Sequence, residues 1–107
     1  MRRIAIADDD EAERFVLKGL IRECGYSVVA EASNGSEAVN ICLKNSPDII
    51  IMDVGMPVKD GIEAAADINR LCPTPVVILT AKDDEETVRR AIEAGVMGYL
   101  IKPVRFE

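Results

Sequence analysis

The chain has 107 residues, of which 49% are hydrophobic and 30% charged, and its formal net charge is −6. This composition fits a single soluble domain with a packed core. It excludes a membrane span, which needs roughly 18 consecutive apolar residues, and offers no basic patch for nucleic acid. Histidine is absent, which removes Ser-His-Asp and Cys-His catalysis, His-ligated zinc and a histidine pH switch. Cys24, Cys42 and Cys72 are widely spaced and form no CxxC pair, as expected for small hydrophobes in a reducing, cytoplasmic compartment. The apolar run behind the N-terminal arginines is too short for a signal peptide.

Short β-rich runs alternate with segments of helical period. RIAIA (3–7) predicts the first strand. A helix follows over 11–24, with Ala12, Val16, Leu17, Leu20, Ile21 and Cys24 on one face. SVVAEAS (27–33) predicts the second strand, and a helix runs from about Ser36 to Lys44. DIIIMD (48–53) is the third strand and Asp60 to Leu71 the third helix. PVVILT (75–80) is the fourth strand, Asp84 to Ala94 the fourth helix, and GYLIK (98–102) the fifth strand. Asp10-x-x-Glu13, Asp60-x-x-Glu63 and Asp83-x-x-Glu86 each have the form of a capping box, with Asp as the cap. Gly95 suits a left-handed position just past the fourth helix.

Strands one, three and four are apolar throughout instead of alternating, which implies burial on both faces of a parallel sheet. The β-α repeat then predicts an open, doubly wound α/β sheet with right-handed crossovers. A fifth helix is expected after the fifth strand. The chain reaches its last residue first, so it reads as one domain over 1–107 in which one face of the sheet is thinly covered near strand five: either the domain is cut before or at its final helix, or a neighbouring segment or chain covers that face.

The carboxyl ends of parallel strands share one edge, and ligands bind there. Strand one ends in Asp8-Asp9-Asp10, strand three in Asp53, strand four in Thr80 and strand five in Lys102. Taken singly, each has a plain explanation. DDDE is ordinarily a solvated, capped helix start, and an Asp before Gly and Pro is ordinarily a turn. Their joint placement on four strand ends predicts one site. Two carboxylates about 4 Å apart repel by roughly 4 kcal/mol at an effective dielectric of 20, so the cluster calls for a cation. Oxygen ligands without His or Cys suit Mg²⁺. With Lys102 and Thr80 beside it, the site suits phosphoryl transfer, with a carboxylate as acceptor.

On Asp8-Asp9, on Asp53 within MDVGMPVKDG, on Thr80-Ala81 and on Lys102-Pro103, the chain resembles the receiver domain of two-component response regulators. The resemblance implies a five-stranded sheet of order 2-1-3-4-5. It implies that Asp53 accepts a phosphoryl group from a sensor histidine kinase. Asp9 would bind Mg²⁺ directly and Asp8 would help, with Asp53 and the backbone carbonyl of Gly55 as further ligands. Thr80 and Lys102 would hold the phosphoryl oxygens, and Lys102-Pro103 would be a cis peptide. Thr80 and Tyr99 would move together as the switch, with helix four and strand five as the readout face toward an output domain, a downstream protein or a second receiver. Lys82 would reach the phosphoryl oxygens. Residues 93–103 also resemble receivers that carry ANTAR-class RNA-binding outputs, and DNA-binding outputs or a stand-alone receiver remain open.

Three rival readings are weaker. A phosphatase with an aspartate nucleophile wants a second Asp where Gly55 stands. A flavodoxin-like cofactor module wants aromatic walls, and aromatics are 4% of the chain. A receiver that only makes protein contacts would not keep the acceptor, the acidic pair, Thr80 and Lys102 together.

Overall fold

The computed structural model describes residues 2–103. The elements are β1 (Arg3–Ala7), α1 (Glu11–Glu23), β2 (Ser27–Ala32), α2 (Gly35–Asn45), β3 (Ile49–Met52), α3 (Gly61–Leu71), β4 (Val76–Thr80), α4 (Glu85–Glu93) and β5 (Gly98–Ile101). All neighbouring strands pair in parallel, in the order β2-β1-β3-β4-β5. The predicted doubly wound sheet is therefore observed. The expected want of a fifth helix concerns residues beyond Pro103, which lie outside the described residues.

Alternation along the central strands sends side chains to two cores. Ala5, Ala7, Ile50, Met52, Val76 and Ile78 face α2, α3 and α4, where Ala38, Cys42, Ala65, Ile68 and Ala91 close the larger core. Ile4 and Ile6 face α1, with Ile49 and Ile51 packed against them. Small residues on the α2–α4 side let three helices lie close to the sheet.

The α1 side is thinner. Of the six residues expected on the apolar face of that helix, only Ile21 is buried; Leu17 and Leu20 are half-buried, and Ala12, Val16 and Cys24 are exposed. Among the described residues no second helix lies beside α1 on this face. An apolar groove runs there, with Val16, Leu17, Leu20 and Leu79 among its walls and Glu13 and Lys102 at one end.

Helix ends follow local chemistry. Asp60 caps α3 in a full capping box with Glu63, as predicted. Asp10 caps α1 by accepting from the Ala12 and Glu13 N–H groups, but Glu13 does not reach back; its carboxylate goes to Lys102. The cap of α4 is Asp84, not Asp83, because Asp84 accepts from both the N–H and the hydroxyl of Thr87. Asn34 caps α2, which begins at Gly35, one residue ahead of the predicted start. Gly95 has φ +85 as expected, and Gly25 does the same after α1 at φ +86. In each case two N–H groups turn back onto the last carbonyls: Gly95 to Ile92 and Val96 to Ala91, and Gly25 to Arg22 and Tyr26 to Ile21.

All three cysteines are free; Cys24 is exposed, Cys72 half-buried and Cys42 buried. Burial, reinforced by the neighbouring Cys72, pushes the Cys42 thiol up to about 11. It is a core hydrophobe, as its spacing suggested.

The loop from Asp53 to Asp60 is pinned at both ends by glycines that permit close backbone approach. The Gly35 N–H donates to the Lys59 carbonyl at 2.9 Å, and a Cβ at Gly35 would lie 2.1 Å from that oxygen. A Cβ at Gly61 would lie 1.9 Å from the Asp53 carbonyl oxygen. Between these pins Val58 stands at φ +69 with 84% of its surface exposed, a left-handed conformation that a β-branched residue adopts only under constraint.

Two predictions follow from this backbone. Gly61→Ala should lose about 3 kcal/mol in urea denaturation, whereas Gly19→Ala, in the open middle of α1 with nothing within 4 Å, should gain about 0.5–1 kcal/mol. Equal effects at the two glycines would contradict the steric reading. Val58→Asn, which relieves a left-handed β-branched residue, should raise stability by about 1 kcal/mol, and a loss would mean that the loop needs the valine side chain.

Candidate functional site

The sheet ladder carries the four strand ends to one place. The Asp8 N–H donates to the Ala32 carbonyl and the Asp53 N–H to the Ala7 carbonyl, both at 3.0 Å, and the Lys102 N–H donates to the Thr80 carbonyl at 2.8 Å. Each of these residues thus continues its strand by one hydrogen bond, and the site inherits the rigidity of the sheet.

The ammonium of Lys102 is the centre. It donates to Asp8 Oδ2 at 2.8 Å, to Glu13 Oε2 at 2.7 Å and to Asp53 Oδ2 at 3.2 Å. The side chains of Asp8, Asp53 and Lys102 are 7%, 15% and 17% exposed, so these charges are largely withdrawn from water and depend on one another. Other donors complete the carboxylates. Asp8 Oδ1 accepts from the Asp10 N–H at 2.9 Å, and Asp53 Oδ1 from the Val54 N–H at 2.7 Å.

The proton affinities follow this arrangement. Burial opposes the charge on Asp8, but the Lys102 ammonium and the Asp10 N–H outweigh it and hold the carboxyl below its ordinary range. Burial likewise opposes the Lys102 charge, and its carboxylate neighbours prevail, holding the ammonium well above the usual lysine value. At Glu13 the balance reverses. Lys102 draws it down, but burial and the neighbouring Asp8 push it above the usual glutamate range. One ammonium serves several carboxylates, and Glu13 is the one left under-compensated.

Carboxylate oxygens of Asp8, Glu13 and Asp53 all lie within 4.8 Å of one another. This donor set is all oxygen, with neither His nor Cys, and fits a hard divalent cation. Asp9, expected as a direct ligand, is exposed and is not among the three. Glu13 joins the cluster unforeseen. Its sequence signal was absorbed by the capping-box reading, since Asp10-x-x-Glu13 fits that form equally well.

Thr80 is 1% exposed at the end of β4, and its Oγ1 accepts from the Lys82 N–H at 3.3 Å. Tyr99 is half-buried against the larger core, and its hydroxyl donates to the Lys82 carbonyl at 2.5 Å. Thr80 and Tyr99 therefore hold the two backbone groups of one residue. Lys82 also lies over the opposite loop: a Cβ at Gly55 would sit 3.9 Å from its Cε. The Lys102-Pro103 peptide is cis, as the resemblance implied. Farther out, Arg90 of α4 pairs with Asp60 at 3.2 Å, and Lys59 pairs with Asp67. These bonds tie the loop after Asp53 to α3 and α4.

Comparisons with known proteins agree with this geometry. Residues 4–107 match the family model described as response regulator receiver domain. The transcriptional regulatory protein PdtaR of Mycobacterium tuberculosis is 46% identical over 102 residues, which cover 95% of this chain and 50% of that protein. The chemotaxis protein CheY of Thermotoga maritima is 37% identical over 95% of this chain and 86% of that one. The chain thus spans about half the length of the transcriptional regulator and most of the chemotaxis protein. Among solved structures, the response regulator domain of Thermotoga maritima CheB superimposes with a TM-score of 0.91 at 33% identity, over 96% of this chain and 79% of that one. A LuxR-family response regulator from an Aurantimonas species gives 0.90 at 36% identity, over 95% and 74%. Fold, strand-end residues and relatives agree, and the chain belongs to the receiver-domain family of two-component response regulators.

Proposed function

We propose that this domain is a phosphorylation-dependent switch in which Asp53 takes a phosphoryl group from a sensor histidine kinase. The observation that carries the reading is the Lys102 ammonium bridging Asp8 and Asp53 at the carboxyl edge of the sheet. In the transfer the P–N bond of a phosphohistidine breaks, a P–O bond forms to an Asp53 carboxylate oxygen, and the imidazole leaves with the electron pair. Lys102 pairs with the phosphoryl oxygens and Thr80 donates its hydroxyl to one of them. Asp8, Asp9, Asp53 and the Gly55 carbonyl would hold Mg²⁺, a cation suited to such oxygen donors. Bound there, Mg²⁺ supplies neutralisation of the negative charge gathered around the transferring group. On this reading the domain turns over no substrate of its own and acts as a switch and not as an enzyme.

The switch works through Lys82. Thr80 and Tyr99 both bond to its backbone, so a Thr80 drawn to the phosphoryl group releases one of those bonds and lets Tyr99 move inward with the loop. Moving an equilibrium from 1:99 to 99:1 takes about 5.5 kcal/mol, and hydrogen bonds to charged groups contribute about 1.5–3 kcal/mol each. Two or three new bonds from Thr80, Lys102 and backbone N–H groups are of that size. The α4–β5 face then carries the signal to an output domain, a downstream protein or a second receiver. Relatives described as transcriptional regulators support an output that controls transcription, through RNA binding of the ANTAR class or through DNA. The receiver itself, acidic overall, touches neither nucleic acid nor membrane. Among the described residues no helix is long and apolar enough to cross a membrane, in keeping with a cytoplasmic site of action.

Intact mass after incubation with acetyl phosphate tests the reading. The wild type should gain one phosphoryl group in the presence of Mg²⁺ only, and Asp53→Asn should gain none. No gain in the wild type, an equal gain in the variant, or repeated turnover of a small phosphate ester would overturn it.

A further inference from the structure

Glu13 has no role in the phosphoryl transfer proposed above, yet it makes the shortest contact to Lys102, at 2.7 Å. An ammonium has three donor hydrogens, and in this structure all three are engaged, by Asp8, Glu13 and Asp53. A phosphoryl oxygen can therefore gain Lys102 only by displacing a carboxylate. Asp53 is the acceptor itself. Asp8, at 7% exposure, is buried and anchored by the Asp10 N–H. Glu13, 46% exposed, is the partner that water can most readily receive.

Glu13 is also not a loose surface side chain at its base. Asp10 fixes its turn by accepting from the Ala12 and Glu13 N–H groups. Glu13 lines the groove whose walls include the apolar Val16, Leu17 and Leu79, and such walls strengthen a charge pair relative to open water.

We propose that Glu13 is a positioning residue that restrains Lys102 in the unphosphorylated domain and lets it go when the phosphoryl group arrives. This rests on Asp53 being the phosphoryl acceptor. Glu13 then sets the rate at which small phosphodonors charge the domain. The donor must draw the ammonium away from a carboxylate that stays behind as an uncompensated negative charge.

The test is the initial rate of phosphoryl uptake from acetyl phosphate at saturating Mg²⁺, with Glu13→Gln made in the wild type and in Lys102→Ala. In the wild-type background Glu13→Gln should speed uptake roughly threefold to tenfold, the range of a partly buried charge-assisted pair. In the Lys102→Ala background the same change should matter by less than about twofold, because an effect carried by a partner vanishes with the partner. Equal or slower uptake in the first background overturns the proposal. Equal acceleration in both also overturns it, since Glu13 would then act on the donor by charge alone. If Lys102→Ala is too slow to follow, the Lys102 Cε resonance decides. Glu13→Gln should move it in the unphosphorylated protein and leave it in place in the phosphorylated one, and an unmoved resonance in the unphosphorylated protein rejects the restraint. A wild type that takes up no phosphoryl group removes both readings, whereas a labelled wild type matched by Glu13→Gln removes this one alone.

Discussion

One lysine ammonium among three carboxylates is the interaction on which the rest of the site depends. Asp8 and Asp53 come from adjacent strands, β1 and β3, and their approach is forced by the parallel register that pairs Ala7 with Met52. Like charges about 4 Å apart cost roughly 4 kcal/mol at an effective dielectric of 20. Lys102 offsets that cost from β5, two strands away across β4. In the proposed switch, each new charge that enters, a divalent cation or a phosphoryl group, would change which partner the ammonium serves.

The scaffold keeps this arrangement in place by backbone contact more than by side-chain packing. Gly35 and Gly61 let the loop after Asp53 press against the starts of α2 and α3, with no room for a Cβ at either position. Asp60 caps α3 and also pairs with Arg90 on α4. The loop that follows Asp53 is thus braced on three helices, while Tyr99 and Thr80 hold the facing loop through the backbone of Lys82. With Asp53 well braced and the facing loop held at fewer points, a local change of charge would move one side more than the other.

Much of this was legible in the sequence. Uniformly apolar runs of four to six residues marked buried parallel strands, and the residues just after them marked the site. What escaped had specific causes. Glu13 fits a capping box by spacing, and spacing cannot say that Lys102, 89 residues away, competes successfully for its carboxylate. Asp83 and Asp84 both precede a helix, and only the Thr87 hydroxyl decides between them. Gly35 looks like a poor helix residue until the Lys59 carbonyl is seen against it. The sequence predicts a full apolar face on α1, but a face is buried only where something packs on it, and here the groove between α1 and Leu79 of β4 leaves Val16 at 60% exposure. Except at Asp84, whose partner is three residues away, each miss involves a partner distant in sequence, which periodicity and local propensity do not encode.

The central claim is that the strand-end carboxylates form one cation site shared between Lys102 and a divalent ion. Titration of the unphosphorylated protein with Mg²⁺, followed by backbone amide chemical shifts, tests it most directly. Saturable shifts concentrated at residues 8–10, 53–56, 80–82 and 102 are the expected result. Absence of a saturable response, or shifts centred on the exposed acidic run at 83–86, would contradict it.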